Sequence, residues 1–294
     1  MAKIIDGKKI AEDIKNELKS RVEALKQQGV IPYLVAIIVG DNPASVIYVR
    51  NKAKACKDLG IISEIIQLPQ STTEEELTLK VLALNQKKEV HGILVQSPLP
   101  GHIDHFRIFA TVDINKDVDG FHPYNLGMLF SGRPRFIPCT PLGIQELLLR
   151  SGNDPAGKHV VILGRGNIVG KPLAALLVQK AKGADATVTL CHRGTNNLPE
   201  ITKTGDILVA AIGNANFVAA EMVKPGAAVV DVGVNSVIDV ATGKKKLVGD
   251  VEFDSVSKVA SAITPVPGGV GPMTIALLLH NTLKAAEIQN RIKD

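Results

Sequence analysis

Tyr48 and Lys52 stand four residues apart in PASVIYVRNKAKACKDLGI, so on a helix they share one face. A phenol beside an amine is a pair that can hold and move protons, and a lysine amine does so near neutrality only where burial or a neighbouring cation lowers its pKa. Taken alone, the pair equally suits a surface lysine beside a half-buried tyrosine. A second polar group, Gln96, closes the apolar run of GILVQSPLP at 92–100. Strand ends in α/β sheets are where ligand-binding groups collect, although a glutamine there is also an ordinary turn residue. Asp117 and Asp119 flank Val118 in NKDVDGFHPYNLG. Two acids in a loop can hold a cation, but no histidine or further carboxylate stands at ligand spacing, so a solvated turn is expected and no metal. His102 and His105 read as surface loop residues.

VVILGRGNIVGKP at 160–172 is an apolar strand, a glycine turn and a helix start, the setting a dinucleotide site requires. Gly170 falls one residue later than the third glycine of G-x-G-x-x-G. Gly164, Gly166 and Gly170 still let the turn tighten and a pyrophosphate approach the helix N-terminus, and a tight turn without ligand is the plainer alternative. The next strand ends in His192-Arg193 where a site selective for NAD usually carries an acid. A cation there can pair with a 2′-phosphate and favours NADP, with Arg165 in the turn as a second candidate; solvated loop charge is the competing explanation. Tyr-x-x-x-Lys also occurs in short-chain dehydrogenases, but there it follows the glycine turn and here it precedes it. A third unusual stretch, TPVPGGVGPMT at 264–274, packs three prolines and three glycines into eleven residues before an apolar helical run. Such a loop is rigid and shaped, and its paired glycines leave room for a ligand against the main chain.

The elements that must position these groups follow from periodicity. Ile10, Ile14, Leu18, Val22 and Leu25 predict a helix ending near Gly29. Then come a strand at 34–39, a helix at 43–59, a strand at 64–68, a helix opened by the capping box Thr73-x-x-Glu76, and a strand at 92–96. After a Pro/Gly-rich region at 97–141 and a helix at 142–149, a second series follows: strand 160–163, helix 168–182, and strands 187–191, 207–211 and 228–232. Residues 237–240 and 246–248, joined through Thr242-Gly243, suit a hairpin, and a last helix runs over 273–288. This alternation predicts two α/β domains with largely parallel sheets and a boundary near 135–155.

With 45% apolar and 21% charged residues over 294, the chain can fill two cores. The net charge of +5 and pI of about 9.0 suit small anionic ligands, while scattered basic residues, 3% aromatics and no Trp speak against nucleic acid. Three widely spaced cysteines, Cys56, Cys139 and Cys191, suit free thiols. The N-terminus enters a charged amphipathic helix at once and no apolar run approaches the roughly 18 residues of a membrane span, so neither signal peptide nor membrane is expected and the location is expected to be cytoplasmic.

YVRNKAKACKDLGI, GILVQSPLP, KDVDGFHP, PCTPLG, GRGNIVGKP, DVGVN, GDVEF and TPVPGGVGPMT, in that order over nearly the whole chain, resemble the bifunctional methylenetetrahydrofolate dehydrogenase/methenyltetrahydrofolate cyclohydrolases. The resemblance implies NADP-dependent oxidation of 5,10-methylenetetrahydrofolate to the methenyl cation, then hydrolysis to 10-formyltetrahydrofolate. It implies a catalytic folate-binding domain at 1–140 joined by the C-terminal helix at 273–294, a Rossmann-like NADP-binding domain at 141–272, a cleft between them, and a homodimer. Lys52 becomes the acid/base residue, Gln96 its orienting partner, Tyr48 a platform for the folate ring, and Asp119 the acceptor for the pterin edge. Pro267, Gly268 and Gly269 would line the substrate, and Gly164, Arg165, Gly166, Ile168, Val169, Gly170, His192, Arg193 and Val234 the cofactor. The family commonly has Ser where this chain has Gly166, Leu where it has Ser97, and a small hydroxyl residue where it has Arg193. A monofunctional relative or a non-catalytic nucleotide-binding protein are the alternatives, and the joint presence of Tyr48, Lys52, Gln96 and Asp119 argues against the non-catalytic one.

Overall fold

The computed structural model describes residues 1–238 and 243–292. The chain opens with β1 (Lys3–Ile4) and α1 (Gly7–Gln27), continues through β2 (Tyr33–Val39), α2 (Pro43–Leu59), β3 (Ile62–Leu68), α3 (Glu74–Asn85) and β4 (Gly92–Val95), and adds α4 (His105–Thr111) and α5 (Pro123–Phe130). The heptad-like spacing of α1 buries Ile10, Ile14, Leu18, Val22 and Leu25. The start of α3 is fixed by the expected capping box: Thr73 Oγ1 accepts from Glu76 N at 3.2 Å and Glu76 Oε2 accepts from Thr73 N at 2.8 Å. Sequence periodicity missed α4 and α5, which occupy the Pro/Gly-rich region. Each is too short to show a period and is begun by its cap instead, Asp104 accepting from Phe106 N and His122 from Tyr124 N, the latter with Pro123 in the first turn.

From there follow α6 (Cys139–Arg150), β5 (His159–Leu163), α7 (Gly170–Leu177), β6 (Thr187–Cys191), α8 (Leu198–Thr202), β7 (Ile207–Ala210), β8 (Ala228–Asp231), β9 (Asn235–Ile238), β10 (Lys245–Val248), α9 (Phe253–Val256), β11 (Ala262–Ile263) and α10 (Val270–Gln289). The helix expected over 168–182 is shortened to α7. Residues 164–169 are spent on the glycine turn, and at the far end Ala186 N donates to Leu177 O at 3.0 Å and Asp185 N to Gln179 O at 2.7 Å, with Asp185 at a φ of 60°. Those bonds satisfy the last carbonyls while turning the chain into β6. β9 and β10 pair antiparallel as a hairpin, and the expected residues 239–242 of it lie outside those described.

Packing divides the chain into two compact units, Glu12–Cys139 with Ile275–Asp294, and Met1–Ala11 with Thr140–Thr274. In the first, the described strands form a parallel sheet in the order β3-β2-β4. Val35, Ile37 and Val39 on one face of β2 pack with Ile93, Val95, Leu77 and Val81. In the second, the order β1-β11-β8-β7-β5-β6 is parallel throughout. The order in which strands are added reverses after β3 in one sheet and after β6 in the other, which leaves a switch point between β2 and β4 and another between β5 and β7. The four residues of β4, β7 and β8 are all buried, as strands covered on both faces require. No helix among the described residues is long and apolar enough to cross a membrane.

Candidate active site

α2 leaves the switch point of the three-stranded sheet and carries Lys52, while Gln96 directly follows β4 and is tied to β2 by its N–H to Ile37 O at 2.9 Å. Lys52 Nζ therefore donates to Gln96 Oε1 at 3.0 Å. The amide cannot turn over freely, because Gln96 Nε2 donates to Ser97 O at 2.6 Å and leaves the oxygen for the amine. Tyr48, one turn before Lys52 on α2, is 38% exposed.

Asp119 is delivered to the same end by the segment that pairs beside β4, where Ile93 N donates to Lys116 O at 2.9 Å. Burial raises the Asp119 carboxyl above its ordinary range, while the Lys52 charge and a hydrogen bond from the Cys139 thiol oppose the rise. Asp117 is not the solvated turn residue expected from its spacing. It is buried, and its carboxylate accepts from Phe121 N at 3.1 Å, His122 N at 2.9 Å and Asn125 Nδ2 at 2.8 Å, closing the turn that presents Asp119. Two further groups escaped the sequence reading. Cys139 is buried against Val118 O, its thiol pushed well above the usual range by burial and then by the Asp119 charge. Asn281 on α10 donates to the backbone on either side of that pocket. The quoted PCTPLG motif contained the first; nothing local in the sequence marked the second.

In the other unit, Gly164 has a φ of +130° and approaches Ala211 so closely that an added Cβ would run into its carbonyl; a Cβ on Gly170 would run into the carbonyl of Gly164. These two glycines bring the turn down onto the switch point of the six-stranded sheet. Gly166 differs: a Cβ there meets nothing within 4 Å. Arg165 and Ile168 are exposed and Val169 half-buried, and the first turn of α7 has no side-chain cap among the described residues. At the end of β6, His192 Nδ1 accepts from Gly194 N at 3.0 Å. Arg193 is exposed, with Nη2 3.5 Å from the carbonyls of both Ile212 and Gly213. Val234, after β8, is 49% exposed.

The 264–274 loop belongs to the same unit, and its glycines serve the chain itself. Gly268 has a φ of +117°, a Cβ on Gly269 would stand 2.7 Å from Pro265 O, and Gly7 at the start of α1 lies against the Gly269 carbonyl. Room for a ligand is therefore not the whole reason for the glycine pair.

Residues 5–119 match the family described as tetrahydrofolate dehydrogenase/cyclohydrolase, catalytic domain, and residues 138–290 match its NAD(P)-binding domain. The chain is 57% identical over 286 residues to the bifunctional protein FolD of Prosthecochloris aestuarii, across 96% of this chain and 97% of that one. Its fold is similar to the bifunctional FolD methylenetetrahydrofolate dehydrogenase/cyclohydrolase of Campylobacter jejuni, with a TM-score of 0.92 and 48% identity, covering 99% of this chain and 100% of that one. The dehydrogenase-cyclohydrolase of Trypanosoma brucei, solved with NADP cofactor and inhibitor, gives a TM-score of 0.92 at 42% identity, covering 99% of each chain.

Proposed function

Because the chain belongs to the tetrahydrofolate dehydrogenase/cyclohydrolase family, we propose that its folate chemistry is carried by Lys52, Gln96, Tyr48 and Asp119. The protein is a bifunctional enzyme that oxidises 5,10-methylenetetrahydrofolate with NADP and hydrolyses the methenyl product to 10-formyltetrahydrofolate. The observation that carries the residue assignment is the 3.0 Å contact of Lys52 Nζ with Gln96 Oε1, with the half-buried Asp119 close enough to feel the same amine's charge.

In the hydrolysis, water adds to the amidinium carbon and loses a proton, a ring nitrogen gains one as its bond to that carbon opens, and the remaining hydroxyl proton leaves to solvent as the formyl carbonyl forms. Lys52 takes up the first proton and returns it to the nitrogen, and Gln96 aims the amine by accepting one of its hydrogens. Asp119, whose carboxyl burial raises while the Lys52 charge opposes the rise, accepts two parallel N–H bonds from the aminopyrimidinone edge. Tyr48 offers its exposed ring to the folate, and Pro267, Gly268 and Gly269 are assigned to the substrate as well.

The glycine cradle made by Gly164 and Gly170, with Arg165 and Arg193 exposed at the same strand ends, fits NADP. Bound there, NADP would supply the acceptor for the hydride that leaves the methylene carbon. Backbone donors from 164 to 170 would hold its pyrophosphate, His192 and Val234 would flank it beside Ile168 and Val169, and Arg193 would meet the 2′-phosphate. We also assign a homodimer, supported by edge strand β3 with Ile62 and Ile65 exposed at 45% and 40%. A cytoplasmic location is supported by three buried cysteines that all remain free thiols.

The test supplies purified protein with methylenetetrahydrofolate and either NADP or NAD, and follows methenyl formation and its decay to formyl product. Formation with slow, uncatalysed decay would remove Lys52 from its assigned role.

A further inference from the structure

Two buried carboxylates with no part in the chemistry above lie at the ligand end of the six-stranded sheet. Asp250 is 0% exposed. Its Oδ2 accepts from Ile212 N at 2.7 Å and Gly213 N at 2.9 Å, and its Oδ1 from Asn214 N at 2.8 Å and Asn235 Nδ2 at 2.9 Å. Asp231, at the end of β8, holds Asp250 in turn, accepting from Asp250 N at 2.9 Å, Val251 N at 3.0 Å and Gly233 N at 3.1 Å. Gly233 and Gly249 leave the space the two carboxylates fill, since a Cβ on either would collide with one of them.

A trans peptide points its N–H and its C=O in opposite directions. The N–H of Gly213 belongs to the peptide whose carbonyl is Ile212 O, and the N–H of Asn214 to the peptide whose carbonyl is Gly213 O. Both N–H groups are spent on Asp250, and both carbonyls stand 3.5 Å from Arg193 Nη2. The carboxylate thus fixes and polarises two peptides whose far ends hold the guanidinium.

We propose that Asp250 is a positioning residue for cofactor choice, orienting Arg193 toward the 2′-phosphate through the Ile212–Gly213 and Gly213–Asn214 peptides. The proposal rests on the assignment of Arg193 to that phosphate. Asp250→Asn keeps the shape but turns an N–H₂ toward backbone donors, which releases the two peptides. Its KM for NADP is expected to rise about tenfold, and its KM for NAD much less, the loss of one set of charge-assisted bonds. Arg193→Ala should show the same selective loss, and the double variant no more than either alone, since both act on one contact. Cyclohydrolase turnover of methenyltetrahydrofolate, which needs no cofactor, should be retained, a result that general unfolding would not give.

Equal losses for NADP and NAD in Asp250→Asn, or additive losses in the double variant, would overturn the proposal while leaving Arg193 in place. An unchanged NADP to NAD ratio in Arg193→Ala would instead remove the assignment beneath it. Where Asp250→Asn does not fold, Asn235→Ala loosens the same carboxylate by one bond: a smaller but selective rise in the KM for NADP supports the role, and an equal change for both cofactors or none overturns it.

Discussion

The side-chain amide of Asn281 donates to Val118 O at 2.8 Å and to Ile137 O at 3.0 Å, although these residues lie 163 and 144 positions away. One group on α10 thereby joins the strand of chain entering Asp119 to the one entering Cys139. At 1% exposure there is no water to replace it. Asn281→Leu leaves two buried carbonyls short of a donor and should cost about 2 to 4 kcal/mol of stability, read from urea unfolding, with a raised KM for folate substrate. Unchanged unfolding would mean that the two carbonyls find other partners.

Lys52→Met removes the amine while keeping its length and apolar stem. Cyclohydrolase turnover should fall by about two to four orders of magnitude, the usual share of a positioned acid/base group, and NADP affinity measured by titration should stay near the wild-type value. Gln96→Leu should act in the same direction with smaller effect, since it leaves the lysine but frees it to rotate.

How much of this was legible depended on how far apart in sequence the interacting parts lie. α2 begins and ends where the sequence placed it, and the α3 capping box formed as read, because both are decided within a few residues. The parallel sheets followed from apolar runs that alternate with helical spacing. β1 and β11 were invisible because each is two residues long and exists only through pairing with the other and, for β11, with β8. Asp117 was misjudged as solvated because its three donors arrive from residues 121, 122 and 125, a turn closure that spacing alone does not reveal. Lys52 and Gln96 were separately visible, but their contact spans 44 positions and exists only because β4 lies beside β2. Asn281 had no local signal, standing between His280 and Thr282 among other polar residues of α10 with nothing in its spacing to set it apart.

Gly166 occupies a position where a Cβ meets nothing within 4 Å, so its glycine is not demanded by the fold. Gly166→Ser should leave the melting temperature unchanged and add a hydroxyl donor at the cofactor turn, lowering the KM for NADP by about two- to fivefold. Gly164→Ala is the contrasting case. Its φ of +130° and the neighbouring Ala211 carbonyl leave no place for a methyl group, and both stability and cofactor binding should suffer. Equal behaviour of the two variants in melting and cofactor titrations would contradict this division of roles within the turn.

Asp231 gives the stability of the cofactor-binding unit a definite pH dependence. Burial pushes its carboxyl from an ordinary 3.8 up to about 7; the N–H groups of Asp250, Val251 and Gly233 oppose the rise and the charge of Asp250 adds to it. Between those two values the folded chain keeps a proton that the unfolded chain has released. The group's contribution is therefore complete below the unfolded value, is lost as pH rises through the window, and levels off above about 7. The slope cannot exceed about 1.4 kcal/mol per pH unit. Asp231→Asn carries no titrating group, so the stability of wild type relative to the variant should decline as pH rises from about 5 to about 7 and then hold constant. Urea unfolding of both proteins across that range measures the difference directly and cancels the titration of groups common to both. A difference that does not change with pH would place the Asp231 carboxylate in its ionised form throughout, held there by its three backbone donors.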